Sequence, residues 1–286
     1  MVHHRYTTVD GHRVFYREAG DPAQPTIVLL HGYPTSSFMF RELIPELAGD
    51  FHVIAPDHLG FGLSDAPPAD TFTYSFDALS RITAKLLADL GIQRYTIYVQ
   101  DYGAPIGWRL ALSDPSAING IISQNGNAYE AGFIPSFWEP VWAYHRERTE
   151  ATENAMRQAL TLEAIRWQYL TGVKDPTLVD PTVWWHDFAL VNRPGNDAVQ
   201  LALFADYASN VPLYQRLHAY FREHQPPLLA VWGEGDEIFG PAGVHAFADD
   251  LPDAEVHLLP GGHFLLETAV DEVAQLIRDF RAKLRT

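Results

Sequence analysis

Residue types that could carry out hydrolytic chemistry concentrate in three short strings. An aspartate stands in Val99-Gln100-Asp101-Tyr102-Gly103, three carboxylates in Gly233-Glu234-Gly235-Asp236-Glu237, and a histidine in Gly261-Gly262-His263-Phe264. With a reference pKa of about 3.9, an aspartate is anionic near neutral pH, so Asp101 could attack carbon without a base to activate it. The natural target of such an anion is an electrophilic sp3 carbon with a leaving group, and the product would be an ester on the protein. A histidine could then draw a proton from water to cleave that ester. No string in the chain matches G-x-S-x-G, which disfavours a serine nucleophile. Each of these residues also has a plain structural reading. Asp101 could cap the helix that begins near Gly103, since aspartate is a preferred N-cap. His263 is one of 13 histidines and could lie exposed and inert in its loop. Of the three carboxylates after Trp232 we select Asp236, with Glu234 and Glu237 as solvated neighbours.

Alternating strands and helices must position these strings. Tyr6 to Val9 and Arg13 to Glu18 alternate as short strands joined by an Asp10-Gly11 turn. Thr26 to Leu30 is a continuous apolar run, as expected of a strand buried on both faces, and it ends at His31-Gly32-Tyr33-Pro34. A helix is expected over Ser36 to Leu47, with Ser36 or Ser37 as its cap. A strand over Phe51 to Ala55 follows, then an amphipathic helix over Phe76 to Leu90 stopped by Gly91. A strand over Tyr95 to Val99, a helix over 103 to 113 and a strand over Ile118 to Gln124 complete the first part. This order predicts a mostly parallel α/β sheet with crossover helices. Residues 128 to 224 read differently, as aromatic-rich helices with no convincing buried strand. Strands resume at Pro227 to Trp232 and Glu255 to Leu259, and a last helix is expected over Leu265 to Leu284. The expected organisation is therefore a core from residues 1–127, a helical cap from 128–224, and the rest of the core from 225–286. A cap placed this way would cover the edge of the sheet where open α/β sheets bind ligands.

Composition narrows the function classes. The net charge of −16 repels phosphate backbones and anionic lipid, so nucleic-acid and membrane partners are not expected. With no cysteine, disulfides and thiolate chemistry are ruled out. No apolar run approaches a secretory signal or a membrane span, and the expectation is a soluble cytoplasmic protein, monomer or homodimer. No metal site is expected, because no His and carboxylate cluster has ligand spacing on one helix, and no cofactor is expected.

Taken together, HGYPTSS, APDHLGFGLSD, VQDYGAPIG, WGEGD and GGHF, in that order, resemble the epoxide hydrolase and haloalkane dehalogenase branch of the α/β-hydrolase superfamily. The resemblance extends over almost the whole chain, cap included. It implies an α/β-hydrolase fold, with Asp101 as nucleophile, His263 as base, Asp236 as the acid that orients the base, and the backbone N–H groups of Tyr33 and Tyr102 as an oxyanion hole. Some dehalogenases place the acid after the sixth strand instead. Asn125 stands at that position here and cannot serve as a carboxylate.

The leaving group separates the two activities. An epoxide opens to an alkoxide that needs a proton, which buried tyrosine hydroxyls can give. A halide needs only neutral donors such as an indole N–H or an amide. Haloalkane dehalogenases commonly show Asn where this chain has Tyr33 and Trp where it has Tyr102, so an apolar epoxide opened to a diol is the leading expectation. A haloalkane or haloacid dehalogenase is the alternative, and a non-catalytic ligand-binding protein is a third reading. Tyr214 and Tyr144 are the expected ring-opening tyrosines, and Trp138 is a further substrate-contact candidate, although cap packing would equally explain all three.

Overall fold

The structure is a computed structural model that describes residues 1–284. Eight strands form one sheet in the order β1-β2-β4-β3-β5-β6-β7-β8, where β1 is His3–Val9, β2 His12–Ala19, β3 Thr26–Leu30, β4 His52–Pro56, β5 Tyr95–Val99, β6 Ile118–Gln124, β7 Leu228–Gly233 and β8 Glu255–Leu259. The β1–β2 and β2–β4 pairs are antiparallel, and every pair from β4 to β8 is parallel. The expected runs form the central strands because they are apolar without alternation. β4, β5, β6 and β7 are buried along their whole length, as strands covered on both faces must be.

Helices α1 (Leu43–Leu47) and α12 (Leu266–Phe280) cover one face of the sheet, with Leu43, Leu47, Val273 and Ile277 packed beneath them. On the other face lie α2 (Phe76–Asp89) and α3 (Gly103–Ser113), which bury Leu79, Leu86, Ile106 and Leu110. Local chemistry sets their limits. Ser75 accepts the Ala78 N–H to start α2, and Gly91 takes a positive φ of 74° just past its end. Between β6 and β7 the chain forms six helices: α4 (Pro135–Arg146), α5 (Glu150–Gln158), α6 (Leu162–Leu170), α7 (Thr182–Val191), α8 (Asn196–Asp206) and α9 (Val211–His224). Two short helices, α10 (Pro241–His245) and α11 (Phe247–Asp250), separate β7 from β8.

Two expected helices are interrupted. Ser36 to Leu47 is a 3-10 turn over Ser37–Phe40, capped by Ser36, followed by the short α1. Pro45 has no N–H to return to the Arg41 carbonyl, so a single helix through this segment would lose a bond there. The last helix ends at Phe280 in a 3-10 turn and is broken near its start by Ala269, at φ −141° and ψ 30°. Among the described residues no helix is long and apolar enough to cross a membrane, and no three or more His, Asp or Glu side chains gather as a metal site.

Candidate active site

The C-terminal ends of the parallel strands bring the sequence candidates together. Asp101 follows β5 directly and adopts a φ of 48°, a left-handed conformation that L residues seldom take outside tight turns. Two glycines make that turn possible. A Cβ on Gly32 would run into the Asp101 side chain, and one on Gly103 would strike the Leu30 carbonyl. These contacts explain why the strings after β3 and β5 carry glycine where they do. Asp57 holds the first of these loops from below, accepting the N–H groups of Ser37 and Leu63 at 2.7 Å each.

The Asp101 carboxylate is not a helix cap in the usual sense. Tyr102 occupies the N-cap position of α3 and its side chain makes no capping bond. Asp101 Oδ1 accepts the Tyr33 N–H at 2.6 Å, and the carboxylate also accepts the Tyr102 N–H. Both expected backbone donors thus converge on the nucleophile candidate. His263, on the loop after β8, places Nε2 3.8 Å from Asp101 Oδ2. That gap is too long for a hydrogen bond. On its other side, Nδ1 lies 2.9 Å from Asp236 Oδ2, so the network assigns the ring proton to Nδ1 and leaves Nε2 as an acceptor. The Gln100 amide Nε2 lies 2.9 Å from that acceptor. Asp236 is held in turn by the Ile238 N–H at 2.7 Å and by the Asn125 amide at 2.7 Å.

All three groups are buried, and the electrostatics follow from that. Burial pushes the Asp101 carboxyl above its ordinary value, against the pull of His263 and the two N–H donors. Burial also disfavours the His263 imidazolium, but the charge and hydrogen bond of Asp236, with the charge of Asp101, outweigh it and raise this group. A narrow cavity of about 20 Å³, room for about one water molecule, lies against Asp101. Tyr33 and Tyr102 form part of its core side, and Phe137, Trp138, Gln168 and Tyr207 line it from the helical insert. Larger hollows occur at the surface, beside Gly91 and Ser113 and beside Pro25 and Arg278, away from this constellation.

The model of the family described as alpha/beta hydrolase fold matches residues 25–270, from just before β3 into α12. The chain belongs to the α/β-hydrolase family. It is 42% identical to an uncharacterized hydrolase of Saccharomyces cerevisiae, over 96% of this chain and 95% of that protein. It is 37% identical to haloalkane dehalogenase 2 of Mycobacterium tuberculosis, over 93% of this chain and 90% of that one. The solved structure of the epoxide hydrolase CorEH shares the fold, with a TM-score of 0.80 and 20% identity over 99% of each chain.

Within this α/β-hydrolase the remaining candidates separate. Trp138 lines the cavity, but its indole N–H donates to the Ile238 carbonyl at 2.8 Å and cannot also hold a leaving group. Tyr214 does not line it. α9 begins at Val211, which turns Tyr214 in its first turn toward Phe133 and His218, with ring centroids 6.2 Å away in both cases. Its hydroxyl accepts the Asn127 amide at 3.5 Å and is hydrogen-bonded to Tyr207, which stands between it and the cavity. Tyr144 is buried on α4 yet also lies outside the lining. Phe137, Trp138 and Val141 present the cavity face of that helix, and Tyr144, one turn further on, packs where the Arg148 guanidinium stands 5.8 Å from its ring. Of these three tyrosines of the insert, Tyr207 is the one that lines the cavity, and the sequence reading did not single it out. Tyr207 sits in a 3-10 turn between α8 and α9, where no periodic pattern marks an inward face.

Proposed function

We propose that this α/β-hydrolase converts a small epoxide to a diol through a covalent ester on Asp101, with the helices of residues 128–224 acting as a cap over the site. The observation that carries the reading is the Asp101 carboxylate itself, fixed by the Tyr33 N–H at 2.6 Å with the His263 imidazole at 3.8 Å, facing a narrow cavity beneath the helical insert. Oδ2 of Asp101 attacks a ring carbon, the ring C–O bond breaks, and the alkoxide takes the proton of the Tyr207 hydroxyl. His263 Nε2 then removes a proton from water as its oxygen adds to Cγ of the ester. Oδ1, held by the Tyr33 N–H with the Tyr102 N–H beside the same carboxyl, carries the resulting negative charge. Collapse breaks the Cγ–Oδ2 bond, the proton of the added hydroxyl passes to the departing oxygen so that the diol leaves and the Asp101 carboxylate is restored, and the proton on His263 returns through solvent to the Tyr207 phenolate. The sum is epoxide plus water giving diol. Losing one such oxyanion donor typically costs about 2.7–4 kcal/mol of barrier.

A dehalogenase using the same ester is the second reading, favoured by the 37% identity to haloalkane dehalogenase 2. Against it, the Trp138 indole is occupied by a backbone carbonyl, and phenols stand at positions 33 and 102. Supplying 1,2-epoxides and 1-haloalkanes separately distinguishes the two. Diol without halide release supports the first, and halide release with no diol reverses the order. In His263→Gln, mass spectrometry should find one substrate equivalent on Asp101; its absence, with turnover retained in Asp101→Ala, removes the ester mechanism.

A further inference from the structure

The polar groups that line the cavity can be accounted for one by one. The Tyr33 hydroxyl donates to the Ala159 carbonyl at 2.8 Å, and the Trp138 indole is spent on Ile238. The Tyr207 hydroxyl, beside Tyr214, is taken up by the proton-donor role proposed above. The Tyr102 hydroxyl has no partner but is sealed in protein and does not reach open space. Asp101 is held by two backbone N–H groups. Gln168 remains. It is 4% exposed, it lines the cavity, and its amide meets no hydrogen-bonding partner among the described residues.

Its place on α6 makes this unusual. Ile165, Gln168 and Tyr169 are the buried residues of that helix and share one face. A glutamine in the middle of such a stripe makes no protein hydrogen bond to offset its partial desolvation, a cost that folding alone would avoid with leucine or methionine. The neighbouring Tyr169 is satisfied by Asp187, so the buried face of α6 is not polar by neglect. A neutral amide offers two donors and one acceptor and carries no charge to attract an anion. Among the described residues no cation lines the cavity, and Asp101 adds a negative charge.

We propose that Gln168 is a specificity-determining residue that hydrogen-bonds a neutral polar substituent of the substrate, a hydroxyl or a carbonyl next to the epoxide. The substrate class is then a small oxygenated epoxide, not a purely hydrocarbon one. This rests on the reading of Asp101 as nucleophile, so its test includes a measurement that needs no turnover.

Glycidol and 1,2-epoxybutane differ by a hydroxyl in place of a methyl and are close in size. The protein should prefer glycidol in kcat/KM, and Gln168→Met, which keeps length and volume, should reduce that preference by about three- to tenfold, the effect of one neutral hydrogen bond. The loss should fall mainly on glycidol. In parallel, Asp101→Asn, with and without Gln168→Met, is titrated with each epoxide by isothermal titration calorimetry, and the same preference should appear and disappear in binding. Equal loss on both epoxides in Gln168→Met overturns the proposal and makes Gln168 a leaving-group donor. An unchanged preference overturns it outright. If the native protein turns over neither epoxide while Asp101→Asn still binds glycidol preferentially through Gln168, the ester reading fails and the recognition role stands. No preference in that binding pair sinks the recognition role by itself.

Discussion

The Asn125 side-chain amide donates to Oδ2 of Asp236 at 2.7 Å, the same oxygen that lies 2.9 Å from Nδ1 of His263. Asn125 is itself fixed: its Oδ1 accepts the Gly233 N–H at 3.1 Å and the Gln124 amide at 2.7 Å, and its backbone takes a φ of 48°. A residue that cannot be the acid therefore clamps the residue that can, and sets the line along which the carboxylate meets the imidazole. Asn125→Ala should lower stability, because alanine is strained at a positive φ and leaves the Gly233 N–H unpaired, and should slow ester hydrolysis in the folded protein by about tenfold or more, since a hydrogen bond to a charged group contributes about 1.5–3 kcal/mol. Asp236→Asn should cost far more, about 10⁴-fold by analogy with other His–carboxylate pairs. Single-turnover decay of the ester measures both, and equal losses would show that Asn125 acts on more than the orientation of Asp236.

The pH dependence follows from the charge that ester formation removes. In the resting protein His263 is raised above its ordinary 6.5 in spite of its burial, by Asp236 and, in smaller part, by the Asp101 anion. Esterified Asp101 is neutral, so the imidazole loses one of the charges that favoured its protonation. His263 must be neutral to take a proton from water, so ester hydrolysis rises with pH through its pKa. The midpoint of that rise should lie below the His263 midpoint titrated by NMR in the resting protein. A midpoint at or above the resting value would contradict the pairing of His263 with Asp101.

Tyr207 and Tyr214 should behave differently despite their shared hydrogen bond. Burial keeps the Tyr207 phenol protonated well above the ordinary range, which suits a proton donor at neutral pH. Tyr207→Phe should slow ester formation from an epoxide by about 10²–10⁴-fold, the span of general acid catalysis. Tyr214→Phe removes only support behind it and should cost about tenfold or less. Rates of ester accumulation in a His263→Gln background read this directly, and a larger loss from Tyr214→Phe would exchange the two roles.

Gly32 tests the steric basis of the site. A methyl group there would overlap the Asp101 side chain, whose backbone is already constrained to a positive φ. Gly32→Ala should destabilise the protein by about 1–3 kcal/mol, the usual cost of overpacking. It should also abolish ester formation, because Asp101 can relieve the clash only by leaving the Tyr33 N–H. Urea denaturation and a single-turnover assay measure the two effects, and full activity would show that the loop after β3 is not held as tightly as the geometry requires.

The sequence alone determined those features that rest on short-range sterics. Apolar runs without alternation have to be strands covered on both faces. A glycine two residues after an acid at a strand end allows a sharp turn into a helix, and the Gly-rich loop at Gly261 and Gly262 brings His263 to the same sheet edge. The cavity depended on tertiary structure. Tyr144, Tyr207 and Tyr214 are chemically alike and all buried, and only the crossing of α4, α8 and α9 decides which ring faces Asp101. The commitment of the Trp138 indole to Ile238 and the unpartnered amide of Gln168 are likewise settled by contacts between segments far apart in the chain, and no pattern within either segment encodes them.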